Sequence, residues 1–365
     1  MRRKSRRYSG KPPNENVEAP WMREPNRLIR TAVLLAFVFA VFGALIYSRI
    51  MAYSLAPTMK PADFHGLPVW YIPIAYLIDY FSHAWICLLF AFVAAGLIYE
   101  FIPKEAITRY MSGNRVSGYA LALGTAPFLT VCSCTMVPLF AGILYAGAGI
   151  GPAIAFLLMA PASNILAILL TGEILSWELA GVRIAASVVV ALAAGLVISK
   201  TPWGKAIERE HQITVSNAAA TVELVKPPTD ERLWDALKFG GHLGKQILPY
   251  FILGLIAVSY VEAYLPEDLV GAYLTGVTGV LVASIIGGPL YTPTLVEIVL
   301  GKGLWDLGMS KGALLAWLMG QPYDVANALA VSRIARWKVV LTYMIIAWAG
   351  SVTFGLLYGI FTNSL

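Results

Sequence analysis

Two of the chain's three cysteines stand one residue apart, Cys132 and Cys134 in "TVCSCTMVP", bracketed by Pro127 and Pro138. A thiolate is a soft ligand suited to soft ions and metalloids. In looped backbone a CxC pair can aim both sulfurs at one centre, so the stretch reads as a place for transient ligation of a small thiol-reactive species. Two other readings stay open. Small residues let helix backbones approach closely in a membrane, which would make the cysteines packing groups. A CxC disulfide closes a tight, readily reduced ring, which would suit a membrane thiol–disulfide carrier. There is no CxxC motif and no paired Cys/His zinc spacing. No cofactor is expected, and any metal role of Cys132 and Cys134 would be passing contact with a metalloid.

A second group surrounds two prolines inside apolar runs: Pro161 with Ser163 and Asn164, and Pro322 with Gln321, Tyr323, Asp324 and Asn327. Proline in a span frees a backbone carbonyl, and flanking polar groups can then bind a substrate or ion. A carboxylate within a span costs about 2.5–3.5 kcal/mol on insertion scales, so Asp324 is a functional residue by default. The plainer alternatives are that Asp324 reaches water at its span's cytoplasmic end and that the prolines are packing kinks. A third group is Asp79, His83 and Cys87. Their spacing of four predicts a shared helix face, where His83 beside a carboxylate could relay protons or where the three form a polar stripe at the outer interface. Glu262 is a further candidate for proton coupling or gating, or is simply solvated. His242 and Lys245 read as interfacial.

The elements that must position these residues are membrane spans. The chain is 58% hydrophobic and only 13% charged, with a mean hydropathy of +0.69, against roughly a quarter charged in soluble domains. Apolar runs of about 20 residues, enough to cross a bilayer as a helix, recur along it. The expected class is an all-α polytopic membrane protein. The net charge of +6 owes much to the N-terminal "MRRKSRR", which reads as a topology signal rather than a nucleic-acid site. No phosphate-binding Gly-rich loop occurs, so ATP-driven transport and kinase chemistry are not expected, and neither is any other enzyme activity.

The expected organisation is a basic cytoplasmic leader (1–27), an extra N-terminal span (28–50), a first transmembrane repeat (71–199), a cytoplasmic linker (200–235) and a second repeat (236–365). The repeat is legible as three matched pairs: "FIPKEAITRYMSGNRVSG" with "YLPEDLVGAYLTGVTG", "APFLTV" with "GPLYTP", and "AFLLMAPAS" with "AWLMGQPYD". Lys104, Arg109 and Arg115 form one basic loop, and Lys200 to Lys245 hold another basic stretch; both should lie inside. Two spans, 152–171 and 180–199, already separate them. Residues 118–147 must then cross zero or two times, and they are too few for two spans. They should form a re-entrant hairpin with the CSC stretch near its tip, the alternative being one long tilted span. Three crossings plus a hairpin per repeat make the repeats inverted, with the N-terminus cytoplasmic and the C-terminus external.

The element "PFLTVCSCTMVPLFAGIL", the following "FLLMAPASN" and their echo "GPLYTPTLVE…AWLMGQPYDVAN" resemble the ArsP-type predicted permeases over about residues 80–360. The basic leader and the extra first span depart from that pattern. The resemblance implies a multi-span inner-membrane permease, some relatives being associated with efflux of trivalent organoarsenicals. It implies Cys132 and Cys134 as thiol ligands, with Pro138, Pro161 and Asn164 as motif positions around them. The expected partners are the lipid bilayer, a small soft ion or metalloid as substrate, and protons. A permease of the same fold for a sulfur compound or a metal ion is the alternative.

Overall fold

The computed structural model describes residues 27–55, 66–113, 115–128, 133–210, 228–264, 274–288 and 294–365. The leader and Cys132 lie outside the described residues. The described chain is helical throughout and contains no strand. Among the described residues, six helices are long and apolar enough to cross a membrane. The protein is an all-α polytopic membrane protein, and the order of its helices explains the rest.

α1 (Arg27–Leu55) is followed by the long α2 (Ile72–Phe101) and a short α3 (Lys104–Tyr110). Next come two short helices, α4 (Val116–Thr125) and α5 (Ser133–Tyr145), with a 3-10 turn at Ala126–Phe128 after the first. α6 (Ile150–Ala162) and α7 (Ile165–Ile174) are two pieces of one span interrupted at Ser163 and Asn164, and α8 (Trp177–Lys200) closes the first half. The second half repeats the order. α9 (Thr229–Tyr264) is long, α10 (Gly276–Gly287) and α11 (Thr294–Asp306) are short, and α12 (Lys311–Leu318) and α13 (Val325–Val331) are pieces interrupted by a 3-10 turn at Gln321–Tyr323. α14 (Trp337–Phe361) completes it. α9 takes in residues 229–235 of the expected linker, because its first turn carries Asp230 and Glu231, which favour a helix N-terminus. Residues 202–210 are helical as well.

The paired short helices turn back on themselves. The Gly149 N–H, just before α6, donates to the Met111 carbonyl at 2.7 Å, so the α4–α5 segment returns to where it began. The Ser310 N–H, just before α12, likewise donates to the Leu274 carbonyl at 3.0 Å. Helices of ten and thirteen residues reach only about 15–20 Å, half of a hydrocarbon core of about 30 Å.

The two hairpins start from opposite ends of the bundle. Arg232 donates to the Glu100 carbonyl at 2.8 Å, Tyr99 stacks on Phe239 at 4.1 Å, and Lys338 lies over Trp203. These contacts gather residues 99–113, 145–149, 200–210, 228–239 and 333–338 at one basic end, where α4–α5 opens. At the other end the Lys311 N–H donates to Ser364 Oγ at 3.2 Å. This places the mouth of α10–α11 beside the chain's last residues.

Glycine contacts set how closely the spans approach. A Cβ on Gly96 would sit 2.0 Å from the Ala236 carbonyl oxygen, and one on Gly240 would sit 2.4 Å from that of Phe92, so α2 and α9 touch backbone to backbone. Gly151 and Gly195 join α6 to α8 in the same manner, and Gly312 and Gly355 join α12 to α14. Such small-residue contacts are how membrane helices gain dispersion energy without a hydrophobic driving force. The two halves therefore share corresponding contacts as well as element order. α1 stands apart from this plan. It leans on α2 through Phe42 against Phe90 and reaches α9 through Arg30–Asp230 at 3.8 Å, and most of its surface stays open.

Candidate substrate site at two interrupted helices

Both interrupted spans restart with a side-chain cap. Asn164 accepts from the Ala167 N–H at 2.8 Å and opens α7. Asp324 accepts from the Asn327 N–H at 2.7 Å and opens α13, and its second oxygen accepts from the Asn327 side-chain amide at 2.6 Å. A side chain that satisfies an orphan N–H at a helix start is an N-cap. Here two caps let a chain stop and restart inside the bundle without stranding its amides. Pro161 lies in the last turn of α6 and Pro322 in the 3-10 turn, each shortly before the cap that follows it.

The two interruptions meet. α6 packs against the Gln321–Tyr323 turn and α5 against α13, each contact joining the two halves. Between them lies a cavity about the size of one water molecule, lined by Met136, Leu157, Pro161, Gln321, Pro322, Asn327, Val331 and Tyr343. The turn is pressed on the end of α10: a Cβ on Gly288 would lie 1.9 Å from the Tyr323 ring, whose hydroxyl donates to the Ser284 carbonyl at 2.8 Å. Ser163 is fully buried, and its Oγ has no hydrogen-bond partner among the described residues, nor does Asn327 Oδ1. Unpaired buried polar atoms cost free energy unless a ligand or water completes them.

Of the residues expected from sequence, the structure brings Pro161, Gln321, Pro322 and Asn327 to the cavity, with Asp324 bonded to Asn327. Ser163 and Asn164 sit at the break beside Pro161, and Tyr323 anchors the turn. Pro138 is buried within α5. Cys134 is on the first turn of α5, and Met136 of the same helix lines the cavity. Cys132 precedes α5 outside the described residues, as does the side chain of Glu262.

Asp79 and His83 stand elsewhere. Their side chains are 51% and 66% exposed on α2, with His83 Nδ1 3.9 Å from Asp79 Oδ1. Cys87 is fully buried and its sulfur accepts from Arg49 of α1 at 2.7 Å. The three do not share an environment, which corrects the expectation from their spacing: each step of four residues rotates about 40° around a helix of 3.6 residues per turn. Over two such steps the face turns from the open surface into the core.

Sequence reasoning missed two features. One is the cavity-lining set Met136, Leu157, Val331 and Tyr343, apolar or aromatic residues indistinguishable by type from ordinary core. The other is a buried ion pair, Arg183 of α8 with Glu297 of α11 at 3.4 Å, both side chains 1% exposed. Its signal was present: an arginine inside "LAGVRIAASVVV" is a charge within a span.

Residues 74–360 match the model of the ArsP-type family described as "predicted permease". The chain belongs to this family. It is 29% identical to the UPF0718 protein MJ0584 of Methanocaldococcus jannaschii, with 78% of this chain and 94% of the relative covered. It is 24% identical to the UPF0718 protein YraQ of Escherichia coli K12, with 79% and 81% covered. No solved structure gives a significant match. The family makes this protein a multi-pass membrane permease.

Proposed function

We propose that this permease is a secondary transporter that exports a small, soft, thiol-reactive species such as a trivalent methylarsenical from the cytoplasm across the inner membrane. The observation that carries the reading is the water-sized cavity where the interrupted helices of the two halves meet, walled in part by α5, whose first turn holds Cys134. Half-helix ends and unwound backbone near the middle of the bundle suit binding of small polar groups. Met136 adds a soft thioether to the wall. Cys132 and Cys134 would capture the metalloid from the α5 side, each thiol giving its proton to an arsenic-bound hydroxyl that leaves as water while an As–S bond forms, and Ser163 and Asn327 would take the released water. Two thiols bind less permanently than the closed four-ligand cage of structural zinc, and a transporter must release what it binds.

Alternating access follows from the architecture under this reading. The two halves are inverted repeats, each of three crossings and one re-entrant hairpin, with the basic end of the bundle cytoplasmic and the C-terminus external. The α4–α5 hairpin opens from the cytoplasmic end and the α10–α11 hairpin from the external end. Opening toward either side separates α5 and α6 from the Gln321–Tyr323 turn, and the cavity grows from water-sized to substrate-sized. The experiment that tests the reading is uptake into everted vesicles. Wild type should accumulate methylarsenite, and the Cys132→Ser/Cys134→Ser variant should not. Equal accumulation by both would refute the ligand role.

A further inference from the structure

The Arg183–Glu297 pair has no role in the cavity just described, and its geometry asks for one. Arg183 lies in the last span of the first half, and Glu297 lies early in α11 of the second half, after the tip of its hairpin. Both side chains are excluded from the surface. The contact is a single Nη2–Oε2 approach of 3.4 Å. That is longer than the 2.7–2.9 Å of a well-formed charged hydrogen bond, and it is not the two-pronged fork that arginine makes with a carboxylate. Thr171 Oγ1 of α7 accepts from Arg183 Nη1 at 3.1 Å. Arg183 Nε and Glu297 Oε1 have no partner among the described residues. The pair is thus buried, incompletely satisfied and shared between halves.

A buried ion pair of this kind contributes little to stability, since desolvation offsets most of the attraction. Intramembrane charges are costly to keep and usually serve transport. A carboxylate facing a guanidinium can be neutralised in two exclusive ways, by the arginine or by a proton. From this arrangement we infer that Glu297 is the proton-binding carboxylate that couples transport to a proton gradient, exchanging Arg183 for a proton in each cycle. The inference rests on the secondary-transport reading above. In the arrangement described here Glu297 lies against Arg183, the partner that can hold it as a carboxylate. When a proton adds to a Glu297 oxygen, the attraction across the interface between the halves is lost. Among the described residues Arg183 is left with only the Thr171 hydroxyl and must find water or substrate, which favours separation of α8 from α11. Loss of the proton on the other side restores the pair.

Few other groups compete for this part. Among the described residues, Arg183 on α8 and Tyr323 on the central turn are the titratable groups that act on or feel Glu297. Two further described neighbours are neutral: Thr171 on α7, and on α12 the Trp317 indole, which donates to the Glu297 carbonyl at 3.3 Å. Tyr323 also connects the pair to the cavity, since its neighbours Pro322 and Gln321 line it. Asp79 and His83 sit on an open face of α2 and reach neither the cavity nor this pair. Asp324 is spent on both sides as a cap.

The test uses the full chain in two assays. In everted vesicles, wild type should accumulate methylarsenite when the gradient is imposed and should exchange labelled for unlabelled methylarsenite without one. Glu297→Gln should lose gradient-driven accumulation and keep exchange. Because a lone buried guanidinium can prevent folding, the double variant Arg183→Gln/Glu297→Gln is run beside it and should behave alike. Accumulation retained in either variant, or exchange lost in a well-folded double variant, overturns the inference. The second assay needs no substrate. Infrared difference spectra of the purified protein across a pH titration should show a carboxylic-acid carbonyl band that disappears in Glu297→Gln and persists to higher pH in Arg183→Gln. Identical spectra for wild type and Glu297→Gln also overturn it. If wild type moves no methylarsenite, the substrate reading fails, and the infrared titration alone decides whether Glu297 takes up the proton.

Discussion

Asp324 offers the sharpest separation of a structural from an electrostatic role. One carboxylate oxygen caps α13 through the Asn327 N–H, and the other holds the Asn327 side-chain amide. Asp324→Ala removes both bonds. Loss of an N-cap costs about 1 kcal/mol, and leaving a buried amide donor unpaired costs about 1–3 kcal/mol more. The total is roughly 2–4 kcal/mol at a residue only 2% exposed, where water cannot take over. Asp324→Asn should cost much less. Asn164 already caps α7 through its side-chain oxygen in the corresponding place of the first half, so an amide can cap α13, and its NH2 replaces the second bond once the Asn327 amide turns its Oδ1, unpartnered among the described residues, toward it. The measurement is thermal unfolding of the purified full-length protein, read by tryptophan fluorescence, with methylarsenite uptake measured in parallel. The expected order is wild type close to Asp324→Asn, with Asp324→Ala several degrees lower. If Asp324→Asn falls as far as Asp324→Ala, the negative charge itself matters and the capping argument is wrong. If Asp324→Ala melts with wild type, the cap carries no weight and the two interruptions are not equivalent.

Other consequences are as direct. Gly96→Leu drives a side chain into the Ala236 backbone, where even a Cβ would stand at 2.0 Å; overpacking of about 1–3 kcal/mol or more should appear as reduced yield of monodisperse protein in size-exclusion chromatography. His83→Ala removes an exposed side chain that touches neither the cavity nor the buried pair. Its uptake should match wild type, and its stability from melting curves should stay within about 0.5 kcal/mol of wild type. Arg183→Leu alone leaves Glu297 buried without its partner, a loss of about 3–5 kcal/mol, whereas Arg183→Leu/Glu297→Leu should recover most of it. Melting curves of the single and double variants check this.

The class of the protein was legible because composition alone excludes a soluble chain, and the hairpins because charge and length constrain how a chain can cross a bilayer. The breaks at Asn164 and Asp324 could be foreseen from proline followed by a capping residue, a local signal. What the sequence did not disclose is tertiary. Met136, Val331 and Tyr343 become cavity walls only when the halves close on each other. Arg183 and Glu297 stand far apart in sequence and become partners only through the packing of α7, α8 and α11. The shared face expected for Asp79, His83 and Cys87 failed for the opposite reason: the local rule of four ignores the drift of a helix, and α1 covers only part of α2.

The central claim is that the CSC stretch hands a soft cargo to the site at the interrupted helices. The most direct test is uptake of methylarsenite, arsenite, antimonite and zinc into everted vesicles, with and without a proton gradient, for wild type and Cys132→Ser/Cys134→Ser. The account predicts gradient-stimulated accumulation of methylarsenite by wild type and none by the variant, at equal amounts of folded protein in the membrane. Equal accumulation by both, or accumulation by neither, would contradict it.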